Sequence, residues 1–303
     1  FMKKIGLLIG LLFVLAACSL EPPAYLQNND QPIVEGDAKI GFSISTLNNP
    51  FFVTLNDGAK EKAAELGAEL TIIDAQDNAA KQASDVEDLI QQGVDLIMIN
   101  PTDSEAVASA VEAANLAGIP VITVDRNAEG GEVLAHIASD NVAGGELAAE
   151  YLVELVGKDA KVAELEGISG SSAARDRGAG FNKIAAEQLD IVAKQTANFN
   201  RGEGLTVMEN ILQGQPDIQG VFAHNDEMAL GALEAIKTSG KDIVVIGFDA
   251  TDDAVQAVED GTLAGTVAQK PELIGETAID IAVKALKGEE VDEFVPVELE
   301  LVK

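Results

Sequence analysis

The side chains of this sequence with the most chemical capacity are polar groups that directly follow short apolar runs. Their amide, carboxylate and guanidinium groups together donate and accept hydrogen bonds, and some of the 10 phenylalanines stand beside them. This combination suits a neutral ligand dense in hydroxyls, because each hydroxyl is both donor and acceptor, and an aromatic face can cover the C–H side of a sugar ring. The residues concerned are Asn49, Phe51, Phe52, Asn100, Asp125, Arg126, Asp140, Asn225, Asp226, Phe248, Asp249 and Gln269.

Catalytic interpretations of the sequence are weaker. Asp125 and Asp249 could form the carboxylate pair of a glycosidase. However, Arg126 follows Asp125, and a neighbouring cation lowers the pKa of a carboxyl group, whereas a general acid needs a raised pKa. Residues 167–172 are rich in Gly and Ser but lack the Gly-Lys-Ser/Thr of a phosphate loop, which favours a plain strand-to-helix turn. We therefore predict no catalytic residue.

Composition excludes further classes of protein. The 303 residues include 51 acidic and 20 basic ones, a formal net charge of −31, and this field repels a nucleic-acid backbone. One cysteine cannot form an intrachain disulfide, and the two histidines are too few and too far apart for a zinc site. We expect His136 and His224 to be hydrogen-bonded core side chains, with His224 adjoining the candidate residue Asn225. No metal or cofactor is predicted.

Alternating strand and helix patterns must position the polar residues. From Ala38 onward, short β-branched runs alternate with amphipathic stretches that end at glycine, as at Gly67 and Gly93. Such alternation predicts parallel sheets with right-handed crossovers, covered by helices on both faces. The fold class is therefore α/β, with two doubly wound parallel-sheet lobes and a break near residues 138–141. Ligands of such sheets bind beyond the carboxyl ends of the strands.

The N-terminal segment predicts export and attachment to a membrane. Lys3 and Lys4 precede an uncharged apolar run, residues 5–17, which suits a signal-peptide core but is too short to span a bilayer. The run ends in Leu-Ala-Ala-Cys, which resembles a bacterial lipobox, and its cysteine, Cys18, is the single one in the chain. We expect residues 1–17 to be a signal peptide. Residues 18–37 would hold the lipidated Cys18 and a flexible tether.

Several strings of residues resemble the bacterial periplasmic sugar-binding family, and within it the ribose-binding members. They are residues 45–52, 99–104, 136–141, 172–178, 225–233 and 247–249, and the likeness extends from about residue 38 to residue 303. The resemblance implies a type I periplasmic-binding-protein fold whose lobes are joined by a hinge of three chain crossings. It implies an N-terminal lobe of residues 38–138 plus 270–298, and a C-terminal lobe of residues 139–269 plus 299–303.

The resemblance also implies that a monosaccharide, D-ribose foremost, binds between the two lobes. Phe51 and Phe52 would cover one face of its ring and Phe199 the other, while Asp and Arg side chains bind its hydroxyls. Members of the family usually carry Gly where this chain has Ala250, and their surfaces are less acidic. The ligand-binding residues would be Asn49, Phe51, Phe52, Asn100, Asp125 and Arg126 from the first lobe, and Arg177, Phe199, Asn225, Phe248, Asp249 and Gln269 from the second.

The function implied is capture of the sugar by hinge closure and its delivery to an ABC permease, by an exported cell-envelope lipoprotein that is not an enzyme. Allose, another pentose and the furanose-like signal autoinducer-2 are alternative ligands, since one displaced hydroxyl alters few contacts. A chemoreceptor is a further partner that the resemblance leaves open. An exported sugar hydrolase is the enzyme alternative. The negative charge and the signal segment disfavour a transcriptional repressor core of the same fold.

Overall fold

The computed structural model describes residues 37–303, so the predicted signal peptide, Cys18 and nearly all of the predicted tether lie outside the described residues. Strands and helices alternate along the chain. The strands are β1 (Lys39–Ile44), β2 (Glu69–Asp74), β3 (Leu96–Ile99), β4 (Val121–Val124), β5 (Ala135–Ser139), β6 (Lys161–Glu166), β7 (Asp190–Thr196), β8 (Gly220–Ala223), β9 (Val244–Asp249), β10 (Gly265–Ala268), β11 (Phe294–Val297) and β12 (Glu300–Val302). The helices are α1 (Pro50–Leu66), α2 (Ala79–Gln92), α3 (Ala108–Leu116), α4 (Asn141–Val156), α5 (Ser172–Gln188), α6 (Arg201–Gly214), α7 (Asp226–Ser239), α8 (Asp252–Glu259) and α9 (Pro271–Leu286).

The strands form two six-stranded sheets with the same winding. The first has the order β11-β5-β4-β3-β1-β2 and the second β12-β10-β9-β8-β6-β7. Neighbouring strands pair in parallel, with the exception of β12, which is antiparallel to β10. In each sheet the direction of winding reverses beside the first strand, between β1 and β3 and between β6 and β8, and such switch points are where doubly wound sheets bind ligands. The predicted fold class is confirmed.

The chain passes from one sheet to the other three times. It leaves the first sheet after β5, since α4 packs on β8, β9 and β10. It returns after β10, because α9 packs on β3, β4 and β5, and it crosses a last time between β11 and β12. Two lobes joined by three connections can rotate about those connections as units, which is the structural basis of a hinge.

Each sheet is buried on both faces, as parallel sheets require. On β3, Leu96 and Met98 point into a core shared with α1 and α9, whereas Ile97 and Ile99 point into the core under α2 and α3. The second sheet repeats this arrangement, with one core under α6, α7 and α8 and the other under α4 and α5. Alternation of side chains along a strand thus explains why these runs are apolar at every position.

The two C-terminal strands are elements that the sequence pattern does not mark. β11 contains Pro296 and β12 has three residues, and both lie at an edge of their sheets. An edge strand tolerates proline because one of its sides makes no ladder hydrogen bonds. Among residues 37–303, the helices lack the combination of length and apolar character that a membrane span requires.

Candidate functional site

A small cavity lies at the carboxyl ends of the strands of both sheets. It has about 230 Å³ of empty space, including its opening to solvent, and such a space suits a small ligand. The residues that line it are Asn49, Phe51, Phe52, Asp125, Arg126, Ala173, Arg177, Phe199, Asn225, Asp249 and Gln269. The sequence predicted all of them except Ala173.

Two of the lining asparagines are also helix caps. The side chain of Asn49 accepts from the backbone N–H of Phe51 at 3.0 Å at the start of α1, where Pro50 takes the first helical position. Asn225 caps α7 by accepting from the N–H of Met228 at 3.0 Å, and its amide donates to the carbonyl of Phe199 at 3.3 Å. Capping orients these side chains. Each asparagine side chain is therefore held in one orientation beside the switch point of its sheet.

The second lobe contributes a cluster around Arg177, which projects from α5. Its Nε donates to Asn141 Oδ1 at 2.8 Å, and its Nη1 donates to the backbone carbonyl of His224 at 2.6 Å. Asp249 Oδ1 lies 3.6 Å from Arg177 Nη1 and accepts from Gln269 Nε2 at 2.9 Å. The guanidinium is thereby held in one orientation.

Aromatic rings and the second guanidinium join the two lobes across the cavity. Arg126 lies 5.0 Å from the ring centre of Phe52 in the first lobe and 5.3 Å from that of Phe199 in the second, within the range of cation–π attraction. Phe51 meets Phe52 edge to face, with centroids 5.2 Å apart. Arg126 Nη1 also donates to the carbonyl of Pro101 at 3.2 Å. Aromatic faces therefore wall the cavity from both lobes.

Asn100 and Phe248 are the predicted ligand residues that the structure does not bring to the cavity surface. The side chain of Asn100 accepts from Ser45 Oγ at 2.6 Å and donates to the carbonyl of Val124 at 2.9 Å. Phe248 is fully buried, and its ring centre lies 3.9 Å from the Arg177 guanidinium carbon. Both residues support cavity-lining side chains from behind, and neither lines the cavity itself.

The backbone is strained at three lining residues. Asp125, Phe199 and Asp249 have φ angles of 65°, 58° and 120°, in the left-handed region that residues with a Cβ avoid. Each such residue costs on the order of 1–3 kcal/mol, and these conformations concentrate at ligand sites.

Burial dominates the ionisation of the cavity. It raises the pKa of Asp125 against the opposing effects of Arg126 and Arg177. It also raises the pKa of Asp249 well above its ordinary value, against Arg177 and with Asp226 acting in the same direction. Arg126 lowers the pKa of Asp125 as expected, but the cost of removing that carboxylate from water is larger than this attraction, so the net shift is upward.

Three buried polar atoms of cavity-lining residues have no hydrogen-bond partner within the described residues. They are Asp125 Oδ1, Arg126 Nε and Gln269 Oε1. Asp125 Oδ2 is 3.8 Å from Arg126 Nε, too far for a hydrogen bond. The three atoms comprise two acceptors and one donor, a set that hydroxyl groups satisfy because they donate and accept. Residues 37–303 contain no grouping of His, Cys, Asp and Glu suited to a metal ion.

Outside the cavity, the lobes also touch through direct polar contacts. Ser104 N–H donates to the carbonyl of Gly170 at 2.9 Å, and Asn127 N–H donates to Ser172 Oγ at 2.9 Å. Arg175 forms an ion pair with Glu129 beside them. The Gly/Ser-rich segment, residues 167–172, forms the turn from β6 into α5 as the sequence predicted, and α5 begins at its last residue, Ser172. Because this turn meets the first lobe, the cleft is closed over on this side.

Some supporting residues were not predicted as part of the site. Ala173 lines the cavity, and although it lies in residues 172–178, one of the strings that carry the family resemblance, its apolar side chain gives no sign of a polar contact. Asn141, which bonds Arg177, lies in one of the strings that carry the family resemblance. The sequence predicts His224 as a hydrogen-bonded core side chain, and its ring bonds Glu164 as expected. Its partners lie 57 and 60 residues away in the chain, so sequence spacing could not identify them.

Two α/β lobes, three connections and a polar cavity between the lobes define a hinged solute-binding protein. A model of the periplasmic binding protein domain matches residues 40–290. The chain belongs to this family of exported proteins, and the resemblance noted in the sequence is confirmed.

Comparison with known proteins points to a branch of the family. The chain is 55% identical over 303 residues to the ribose import binding protein RbsB of Bacillus subtilis, covering 99% of this chain and 98% of that protein. It is 54% identical over 265 residues to RbsB of Escherichia coli, covering 87% of this chain and 90% of that one. A solved ABC transporter solute-binding protein of Bacillus halodurans with bound myo-inositol superimposes with a TM-score of 0.84 at 36% identity, over 89% of this chain and 95% of that chain. These relatives are named as binding proteins of transport systems, and the expectation that this chain is not an enzyme is confirmed.

Proposed function

We propose that this protein binds a monosaccharide, D-ribose foremost, in the cavity between its lobes and delivers it to an ABC permease. The observation that carries the proposal is the set of unpartnered buried atoms, Asp125 Oδ1, Arg126 Nε and Gln269 Oε1, whose residues line the same small cavity as Phe51, Phe52 and Phe199. The identity to proteins named as ribose import binding proteins supports the same ligand.

The chemistry of the cavity favours a neutral, hydroxyl-rich ligand. Its charged residues are two carboxylates and two guanidiniums, so the site has no strong net charge to attract an ion. Charged groups form the stronger hydrogen bonds, each with a net worth of about 1.5–3 kcal/mol. Phe51, Phe52 and Phe199 offer apolar faces to the C–H groups of a sugar ring. All of the predicted ligand residues, including Asn100 and Phe248 behind the cavity wall, serve this site in the proposal.

Binding is proposed to operate by closure of the lobes. Asp125 and Arg126 follow a strand of the first sheet, whereas Arg177 and Asp249 belong to elements of the second, so a sugar held by both sets bridges the lobes. A ligand that moves the open and closed populations from 1:99 to 99:1 needs a preference of about 5.5 kcal/mol for the closed form. Two to four hydrogen bonds to charged groups made only on closure supply this amount.

The lobes that move are proposed to divide as the sequence resemblance implies. One comprises residues 38–138 plus 270–298, and the other residues 139–269 plus 299–303. The three chain crossings support this division. The closed form is proposed to be the one that the permease recognises, because closure brings surfaces of the two lobes into one fixed relation.

Isothermal titration calorimetry with a panel of sugars tests the proposed ligand. We expect D-ribose to bind at micromolar or lower Kd and to bind at least about tenfold more tightly than allose, xylose, myo-inositol or autoinducer-2. Tighter binding of another member of the panel would replace ribose by that ligand. Absence of heat with every member would contradict sugar binding. Incubation with aryl glycosides provides the control, and release of the aryl group would instead support a hydrolase.

We also propose that Cys18 carries a lipid that anchors the exported protein to the cell envelope. The support is the lipobox-like string ending at the single cysteine and the preceding apolar run. Cells that express the full chain should incorporate labelled palmitate into it, and Cys18→Ser should abolish the label and release the protein from membranes. Equal labelling of the variant would contradict the proposal.

A chemoreceptor is proposed as a second partner of the closed form, testable by sugar-dependent taxis with and without this protein.

A further inference from the structure

A buried histidine joins three elements of the second lobe directly behind the cavity. His224 follows β8 and is fully buried, as is Glu164 of β6. Its Nδ1 accepts from the backbone N–H of Gly167 at 3.3 Å, and its Nε2 lies 2.9 Å from Glu164 Oε1. Because Gly167 N–H is a donor, Nδ1 must be the unprotonated nitrogen, and the ring hydrogen sits on Nε2 facing the carboxylate.

The residues in contact with His224 support two cavity-lining side chains, Phe199 and Arg177. Gly167 lies so close under Phe199 that a Cβ at Gly167 would be 2.1 Å from the Phe199 ring. On the other side, the His224 ring faces Gly178 of α5, where a Cβ would be 3.2 Å from its Cε1. Arg177 precedes Gly178 and donates to the His224 carbonyl. The position of the ring therefore sets both the aromatic wall and the helix turn that bears the guanidinium.

We infer that His224 is a positioning residue whose neutral ring holds the Phe199 and Arg177 walls in their binding geometry, so that the cavity loses affinity for its sugar when the ring takes up a proton. The inference rests on the proposed sugar binding. A second proton must go to Nδ1, where it meets the Gly167 N–H, and two donors cannot form a hydrogen bond. The loop from β6 to α5, which also touches the first lobe, then loses the hydrogen bond that ties Gly167 to the ring.

Charged groups around the ring act in opposite directions. Glu164 and Glu166 of β6 attract a protonated ring, Arg177 of α5 repels it, and Lys194 of β7 neutralises the glutamates through ion pairs of 3.5 and 3.1 Å. Burial outweighs the attraction of Glu164 and holds the pKa of His224 below its ordinary value of 6.5. The neutral ring therefore prevails at neutral pH, and acidification drives it towards the protonated form.

Glutamine is the informative substitution, because its side-chain oxygen can accept from Gly167 and its amide can donate to Glu164, while it does not titrate between pH 5 and 8. Calorimetric titration with D-ribose compares the wild type, His224→Gln, His224→Ala and, as a control at the other histidine, His136→Gln, from pH 7.5 to pH 5. We expect His224→Gln to bind within about twofold of the wild type at pH 7.5. His224→Ala should bind at least about tenfold more weakly. Between pH 7.5 and 5, the Kd of the wild type and of His136→Gln should rise at least about threefold more than that of His224→Gln.

If the Kd values of the wild type and His224→Gln change in parallel with pH, the inference is overturned. An unchanged Kd in His224→Ala would also overturn it. If the alanine variant fails to fold, the glutamine comparison decides. Amide NMR gives a readout without ligand, in which the Gly167 and Phe199 signals should shift below pH 6.5 in the wild type and stay fixed in His224→Gln. Failure of the wild type to bind any sugar at pH 7.5 contradicts the proposed function instead, and the NMR titration still decides whether His224 positions the wall.

Discussion

Replacing Asp249 by asparagine should separate ligand binding from folding. The carboxylate lies in the cavity with 4% of its surface exposed, 2.9 Å from Gln269 Nε2 and 3.6 Å from Arg177 Nη1. Asparagine keeps the shape but replaces a charged acceptor by a neutral amide. Since a hydrogen bond to a charged group is worth about 1.5–3 kcal/mol, the Kd for D-ribose should rise by about 10- to 150-fold.

The same substitution should leave the folded protein as stable or more stable. Burial and the nearby Asp226 raise the pKa of Asp249 in spite of Arg177, so the ionised carboxylate is disfavoured in the folded state. A folded-state pKa above the unfolded one means that the wild type gains stability as the pH falls. We therefore expect the Tm of ligand-free Asp249→Asn to equal or exceed that of the wild type at pH 7.5, and the difference to shrink towards pH 5.

Calorimetry with D-ribose and a thermal melt of the ligand-free protein measure the two effects. Asp253→Asn is the matched control, because this carboxylate lies on α8 with 67% of its side chain exposed and bonds Arg201. It should change Kd by less than about twofold. A Kd for Asp249→Asn within twofold of the wild type would refute the assignment of the site. A fall in its Tm by several degrees would refute the argument from burial.

Three further substitutions test other features. Ala250→Gly should raise the free energy of unfolding in urea by about 0.5–1 kcal/mol, because φ is 56° at this alanine. Glu129→Gln removes the ion pair with Arg175 across the cleft, so ribose should bind up to about fivefold more weakly at low salt and equally well at 0.5 M NaCl. Burial lowers the pKa of His136 to about 4, so the wild type should lose up to about 3 kcal/mol of unfolding free energy between pH 6.5 and pH 4 relative to His136→Gln, measured by urea titration.

Matched variants accompany these tests. Ala254→Gly, in α8, should lower stability by about 1 kcal/mol or more, and an equal loss in Ala250→Gly would contradict the strained backbone at that residue. Glu132→Gln makes the same charge change in the loop that carries Glu129 and should leave binding unaltered. If the unfolding free energies of the wild type and His136→Gln fall in parallel between pH 6.5 and pH 4, the lowered pKa of His136 is contradicted.

Much of the cavity could be predicted from the chain because parallel sheets bring their strand ends together. Asn49 and Asn225 follow strands, begin helices and thereby reach the switch points of their sheets. The rule requires only the order of strands and helices, and apolar periodicity reveals that order. The same rule predicts Asn100 as a ligand residue, although its side chain bonds Ser45 and Val124 behind the cavity wall. Strand order locates a residue at an edge but leaves the direction of its side chain open.

Local pattern alone determined the α/β class, the pairing of two lobes and the strand ends at which a hydroxyl-rich ligand would meet amides, ions and rings. Packing in three dimensions decided the rest. The pKa of Asp125 rises because burial is a property of the whole fold, which its neighbour Arg126 in the chain does not reveal. Likewise His224 meets Glu164 and Arg175 meets Glu129 across 60 and 46 residues. Such contacts depend on how separate elements pack against each other. The spacing of two residues along the chain does not determine their distance in space.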